Sequence, residues 1–270
     1  MINFNFKLNY DINDLIKIVT ILRSDLGCPW DREQNHSSIK RDFIEEVYEV
    51  IEAIDLNHTE LLKEELGDVL LQVVFHCQIE TELSSFDFND VCNDICHKLI
   101  IRHPHVFSDT VVSATSEVLT NWESIKQETK GQTTYYETLE SVAKSLPALM
   151  RAEKVGKRAA KSGMDFEKTS DVLSSLKSEL KELEEAIDGK SIEHIEEELG
   201  DLLFSCANLA RHLKIDSEQA LTNSTEKFID RFSETEKLIR SKGIDMKSLD
   251  INELDDYWHQ AKFILKTRNE

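Results

Sequence analysis

One acidic pattern occurs twice in this chain, and it dictates much of what the chain can become. Glu45-Glu46-Val47-Tyr48-Glu49 is followed by Glu64-Glu65-Leu66-Gly67-Asp68, and Glu179-Leu180-Lys181-Glu182 by Glu197-Glu198-Leu199-Gly200-Asp201. The step from Glu46 to Glu65 is 19 residues, as is the step from Glu179 to Glu198. Each copy therefore places two carboxylates at i, i+3 on one helix and two more at i, i+3 on the next. Four carboxylates converging from neighbouring helices repel one another unless a cation sits among them. An all-oxygen donor set suits a hard ion, and Mg²⁺ is the one that usually arrives with phosphates. A single E-x-x-E among 52 acids is ordinarily a solvated face. The same pair, the same gap and the same E-L-G-D found twice are hard to obtain by drift of solvated faces.

Helical periodicity dominates the rest of the chain. Leu15, Ile18, Val19 and Leu22 mark a helix stopped by Gly27-Cys28-Pro29. A second helix runs from Arg41 to Leu56 with Phe43, Val47, Val50, Ile51 and Ile54 on one face, a third, preceded by Thr59, runs to about Glu82, and a fourth from Phe88 to Arg102. A polar stretch, Ser108 to Ser116, follows, and a short basic helix (Arg151, Lys154, Lys157, Arg158) leads into the second copy. There, helices are expected from Thr169 to Ile187, with a break at Gly189, from Ile192 to Leu213, and from Ser217 to Lys242. The fold class is all-α, two tandem helical bundles: residues 1–130, a link at 131–160, and residues 161–270.

The helix carrying each E-L-G-D has the sharpest signal. After Asp201, Leu202, Leu203, Phe204, Cys206, Ala207, Leu209 and Ala210 cover most of its circumference, so burial is expected. Its polar residues Glu198, Asp201, Ser205, Asn208 and His212 fall within an arc of about 80° at 100° per residue. Glu65, Asp68, Gln72 and His76 repeat the stripe. A buried polar stripe must be paired or hydrated, and a metal with its substrate meets that need. The glycine before each aspartate, at a cost of about 1 kcal/mol in a helix interior, is expected to permit close approach of a facing helix or ligand.

Composition excludes several partners. A net charge of −20 and a pI near 4.9 disfavour a nucleic-acid backbone and an anionic membrane. A small polyanion can still bind where a metal and local cations reverse the field. The five cysteines (Cys28, Cys77, Cys92, Cys96, Cys206) form no C-x-x-C pair and are odd in number, so reduced thiols in a cytosolic protein are expected, with Cys92 and Cys96 as buried small residues. No signal-peptide pattern and no apolar run near 18 residues is present, which points to the cytoplasm. Each copy also has a Lys/Arg pair four apart on its last helix, Lys98 with Arg102 and Lys227 with Arg231, and their recurrence favours phosphate contact over ordinary surface charge.

These motifs carry a resemblance. The repeated Glu pattern, Gly27-Cys28-Pro29-Trp30-Asp31-Arg32-Glu33-Gln34, Arg102-His103-Pro104-His105-Val106-Phe107 and Asn208-Leu209-Ala210-Arg211-His212 resemble the MazG family, all-α nucleoside triphosphate pyrophosphohydrolases, over essentially the whole chain. The resemblance implies Mg²⁺-dependent hydrolysis between the α and β phosphates, giving a monophosphate and pyrophosphate, broad base range, and a homodimer. It also implies that Glu179, Glu182, Glu198 and Asp201 are the catalytic metal ligands, with Glu46, Glu49, Glu65 and Asp68 equivalent in the first copy. Lys227 and Arg231 match a phosphate-binding pair, with Lys98 and Arg102 equivalent, and Trp258 a base-stacking aromatic, although a core tryptophan explains it nearly as well. Ser178 stands where the pattern's first Glu, present as Glu45, is expected; if that acid helps orient the attacking water, Glu197 would have to substitute or the first copy would have to contribute more than usual. Two rivals remain. A di-iron bundle expects Glu-x-x-His on two helices, and the chain's Glu33-Gln34-Asn35-His36 stands outside the repeat; a non-catalytic acidic adaptor would show no metal-dependent turnover.

Overall fold

The computed structural model describes residues 4–109 and 114–268; among these, every regular element is helical. The chain divides into two compact units, Met1–Lys126 and Gln127–Glu270. The first holds α1 (Ile12–Arg23), α2 (Pro29–Glu33), α3 (Lys40–Asp55), α4 (Thr59–Glu82), α5 (Phe88–Arg102), α6 (Pro104–Phe107) and most of α7 (Thr115–Thr129). The second holds α8 (Tyr135–Glu140), α9 (Ala148–Lys161), α10 (Thr169–Gly189), α11 (Ile192–Leu213), α12 (Ser217–Ser241) and α13 (Ile251–Arg268). The polar stretch 108–116 lies partly outside the described residues.

Local chemistry explains the boundaries. Asp11 caps α1 in a reciprocal capping box with Asp14, and Asp87 caps α5 the same way with Asp90. Gly27 is required by the turn after α1, because a Cβ there would overlap the carbonyls of Ile21 and Leu22. Pro29, expected only as a stop, instead opens α2 at its first position, where the missing N–H costs nothing. At the end of α10 the left-handed residue is Lys190 (φ 59°), not Gly189, which stays helical; Lys214 ends α11 at φ 59° too.

The first unit has a core beside its acidic helix pair. Val19, Ile39, Val74, Phe75 and Ile79 are buried together, with Ile12, Leu15, Ile16, Leu71 and Phe88 packed around them. Arg23 ties three elements at its edge. It donates two hydrogen bonds of 2.8 Å to Glu82 on α4 and bonds the carbonyls of Asp31 (2.6 Å) and Gln34 (3.0 Å), with its guanidinium over Phe75. That partner holds the Glu82 carboxyl below its usual range.

In the second unit α10 and α11 form the main helix pair, and α9 lies against α11. Residues 131–160 take part in this packing, with Arg158 reaching the Thr138 carbonyl and Ser141 Oγ. Close approach of helices occurs at Gly156 on α9, where a Cβ would come within 3.3 Å of Asn208 and Arg211. The glycines expected to do this, Gly67 and Gly200, face open space with nothing within 4 Å.

Two further expectations of burial are corrected. α11 is not enclosed within the chain: Glu198 and Ala207 are its buried residues, while Leu199, Leu203 (51% exposed) and Phe204 remain open. α3 is similar, with Val47, Ile51 and Ile54 at 40% exposure or more. Apolar residues around a helix signal that something covers it, and within each unit too few elements exist to do so. The cysteines are free thiols, but against expectation Cys96 is exposed and Cys92 half-buried; burial raises the Cys77 thiol.

Candidate active site

Each acidic pattern folds into one cluster. Carboxylate oxygens of Glu46, Glu49 and Glu65 lie within 4.8 Å of one another, and those of Glu179, Glu182 and Glu198 do the same. The helix pairs α3–α4 and α10–α11 achieve this because i, i+3 spacing puts each pair on one face. Glu65 and Glu198 are the buried members, 9% and 8% exposed. Asp68 and Asp201 flank the clusters, close enough for their charges to act on Glu46 and Glu179.

The electrostatics are those of crowded carboxylates. Burial pushes the Glu46 carboxyl up from its ordinary value, and Asp68 and Glu49 push it further. Glu65 is raised first by burial and then by Glu49. Glu179 is raised by burial, then by Glu182, Asp201 and Glu198. No cation is among the causes acting on these three groups. Hard oxygen donors, clustered and made costly to ionise, fit a divalent metal ion.

Surrounding contacts differ between copies. Glu45 pairs with Arg41 at 3.0 Å. Ser178, its replacement, donates a 2.9 Å hydrogen bond to Glu182 and so orients a member of the cluster. His194 Nδ1 stands 3.4 Å from Glu198 and 3.7 Å from the exposed Glu197. On the α4 stripe, His36 Nε2 meets Glu80 at 2.6 Å and His36 Nδ1 meets His76 Nδ1 at 2.6 Å. With Glu80 accepting from Nε2–H, the Nδ1···Nδ1 contact needs one imidazole to donate and the other to accept. Burial lowers the His76 pKa, followed by the charge of His36. Local sequence gives no sign of this contact, since His36 and His76 are 40 residues apart.

The Lys/Arg pairs show a repeat that the spacing did not reveal. Arg231 lies over the Trp258 ring at 5.2 Å, and Arg102 lies over Trp122 at 5.1 Å. Trp122 thus stands to the first copy as Trp258 stands to the second. The Trp258 ring also packs on Phe228 at 4.9 Å. Lys98 and Lys227 are exposed. Lys227 and Arg231 line a groove of about 590 Å³ between α12 and α13, together with Lys262 and Lys266.

Comparison with known proteins agrees with this geometry. A family model described as MazG nucleotide pyrophosphohydrolase domain matches twice, at residues 34–107 and 167–235, each match enclosing one cluster. The chain is 44% identical to the Nucleoside triphosphate pyrophosphohydrolase/pyrophosphatase MazG of Thermotoga maritima, covering 92% of this chain and 94% of that protein. It is 40% identical to the Nucleoside triphosphate pyrophosphohydrolase of Escherichia coli K12, covering 93% and 98%. It is also 42% identical to Uncharacterized protein YabN of Bacillus subtilis, covering 94% of this chain but 52% of that protein. With two family domains, and two of these relatives matched along nearly their whole length, the chain belongs to the MazG nucleotide pyrophosphohydrolase family.

Proposed function

We propose that this protein hydrolyses nucleoside triphosphates between the α and β phosphates, with Mg²⁺ and a broad base range, releasing a monophosphate and pyrophosphate. The observation that carries the reading is the convergence of three carboxylates in each copy, with no cation among the causes that shift Glu46, Glu65 and Glu179, in a chain of this family. Glu179, Glu182, Glu198 and Asp201 would hold the metal, which when bound neutralises phosphate oxygens and acidifies water. Ser178 holds Glu182 in position, and Glu197 with His194 lies at the rim where a water is oriented. Lys227 and Arg231 bind phosphate, and Trp258, packed on Phe228 and beneath Arg231, keeps that guanidinium in place. Positioning and charge neutralisation are most of what phosphoryl chemistry asks of a protein.

In this reading residues 161–270 carry turnover, 131–160 support α11, and 1–130 form a structural or regulatory copy using Glu46, Glu49, Glu65 and Asp68. Two chains associate through the open apolar faces of α10 and α11, where Leu199 and Leu203 are exposed. A homodimer of this kind works in the cytoplasm, away from nucleic acid, and no helix among the described residues is long and apolar enough to cross a membrane. The test is an assay of the purified protein against the eight ribo- and deoxyribonucleoside triphosphates with Mg²⁺ and pyrophosphate detection. Monophosphate and pyrophosphate are expected; diphosphate and orthophosphate would overturn the bond assignment. Leu203→Glu should shift the mass in solution from dimer to monomer.

A further inference from the structure

Two imidazoles meet edge to edge in the first unit, away from its acidic cluster. His36 belongs to the loop between α2 and α3, His76 to α4, and their Nδ1 atoms are 2.6 Å apart. The rings are nearly parallel, 9° apart, with centres separated by 4.9 Å. That separation exceeds the Nδ1 distance by just two centre-to-nitrogen radii, so both nitrogens lie on the line between the ring centres. The rings are therefore coplanar, and the in-plane electron pairs of the two Nδ1 atoms aim at one point. What sits between two such electron pairs is a shared proton or a metal ion.

The surroundings favour the metal. The far nitrogen of His36, Nε2, meets Glu80 at 2.6 Å, and a histidine that ligates through one nitrogen characteristically gives its other N–H to a carboxylate. Contact with His36 holds the Glu80 carboxyl below its usual range, ionised and ready to accept. Burial lowers the His76 pKa and so favours the neutral ring, the form that binds metal. The His36 loop is set by its own bonds: Asn35 Oδ1 accepts from the N–H of Ser37 (3.0 Å) and Ser38 (3.2 Å), and Arg23 holds the Gln34 carbonyl at 3.0 Å. Tetrahedral zinc wants its nitrogens about 3.3 Å apart, so the pair must open by roughly 0.7 Å. The His36 side chain, 43% exposed, has the space to turn by that much, and its open side admits the waters that complete the shell.

We propose that His36 and His76 form a binding site for a divalent ion of the zinc class, oriented by Glu80, which ties the loop entering α3 to α4. The ion takes the place of the proton between the rings. Both Nδ1 atoms coordinate, His36 keeps its Nε2–H on Glu80, and His76 carries its proton on Nε2. Imidazole nitrogens suit Zn²⁺, Co²⁺ or Ni²⁺, whereas the all-oxygen cluster of Glu46, Glu49 and Glu65 suits Mg²⁺. The two sites are separate, since His76 stands two turns past Asp68, about 12 Å along α4. On the stripe of the second unit, His212 turns its nitrogens to Thr169 Oγ1 and the Phe166 carbonyl, so it offers no second site. The binding ratio is therefore one such ion per chain.

The test uses untagged, metal-free protein in excess Mg²⁺, which competes at the carboxylate clusters, and titrates Co²⁺ by its visible absorption and Zn²⁺ by calorimetry. Wild type should bind one equivalent of either ion, and Zn²⁺ should raise its melting temperature. His36→Ala and His76→Phe should each weaken binding by about 100-fold or more and abolish the melting shift, and Glu80→Gln should weaken binding by about tenfold. Glu46→Gln with Glu49→Gln, and separately His194→Gln, should leave the affinity unchanged. No binding by wild type, binding that survives either histidine substitution at 36 or 76, or loss confined to the Glu46/Glu49 or His194 variants would overturn the proposal. Should a histidine variant fail to fold, X-ray absorption of Co²⁺-loaded wild type decides: a shell with two imidazoles supports the site, and an oxygen-only shell overturns it.

Discussion

Set side by side, α3–α4 in the first unit and α10–α11 in the second each gather three carboxylates within 4.8 Å, and each unit lays the arginine of its Lys/Arg pair over a tryptophan. Their surroundings diverge. The first copy sits beside a closed core of Val19, Ile39, Val74, Phe75 and Ile79, and its polar stripe is occupied by His36. The second keeps an open cavity along its stripe and exposes the apolar residues of α11. Clustered carboxylates stand in both copies, whereas a cavity of about 520 Å³ lies along the stripe of the second. Trp258 does not separate the copies, because Trp122 matches it; the cavity does.

The largest expected effect breaks the comparison directly. Glu198→Gln with Asp201→Asn should lower kcat by about 100-fold or more, the scale of losing a metal site, while Glu65→Gln with Asp68→Asn costs a few-fold. Steady-state assays decide, and the opposite ranking would make the first copy the working one. Both pairs of variants should remain folded and melt no earlier than wild type without metal, because they relieve repulsion.

A second difference is expected in the response to pH. Glu46, Glu65 and Glu179 have folded-state pKa values raised above those of the unfolded chain. The folded state therefore holds more protons, so these groups favour folding below the unfolded value and lose that contribution as pH rises through the folded one. The metal-free melting temperature should fall with rising pH across this range for their part. Added Mg²⁺ should raise it more at pH 7 than at pH 5, with the difference reduced in each cluster variant. A Mg²⁺ effect independent of pH would show that these carboxylates do not bind it.

A smaller effect is expected at Ser178. Ser178→Ala removes the bond that orients Glu182 and should raise the Mg²⁺ concentration needed for half-maximal rate several-fold. Ser178→Glu, which restores the pattern of the first copy, tests whether the hydroxyl or an acid is preferred. The smallest effect concerns Gly67→Ala and Gly200→Ala. Neither new Cβ meets an atom within 4 Å, so each should stabilise the metal-free chain by about 0.5–1 kcal/mol through helix propensity. A lower melting point at Gly200 alone would show that a second chain occupies the space there.

Much of the architecture is legible in the residues themselves. The helices Phe88–Arg102 and Ile192–Leu213 have the bounds that periodicity predicts, and α4 ends at Glu82 as expected, although Thr59 is its first residue and His58 its cap. Three ligands in each copy meet because i, i+3 spacing is a local property of a helix. Whether an apolar face is covered, however, depends on neighbours far away in sequence, and so the expectation of an enclosed α11 fails. His36 beside His76, Trp122 beneath Arg102, and Gly156 in place of Gly67 and Gly200 as the point of close approach are likewise contacts across long separations. By itself the sequence determined the helices, the repeat and the chemistry of the ligands, all set within a few turns of chain. Only the tertiary structure decided which faces stay open and which way the Asn208 amide points, because burial and hydrogen-bond partners are set by packing between elements that no local pattern encodes.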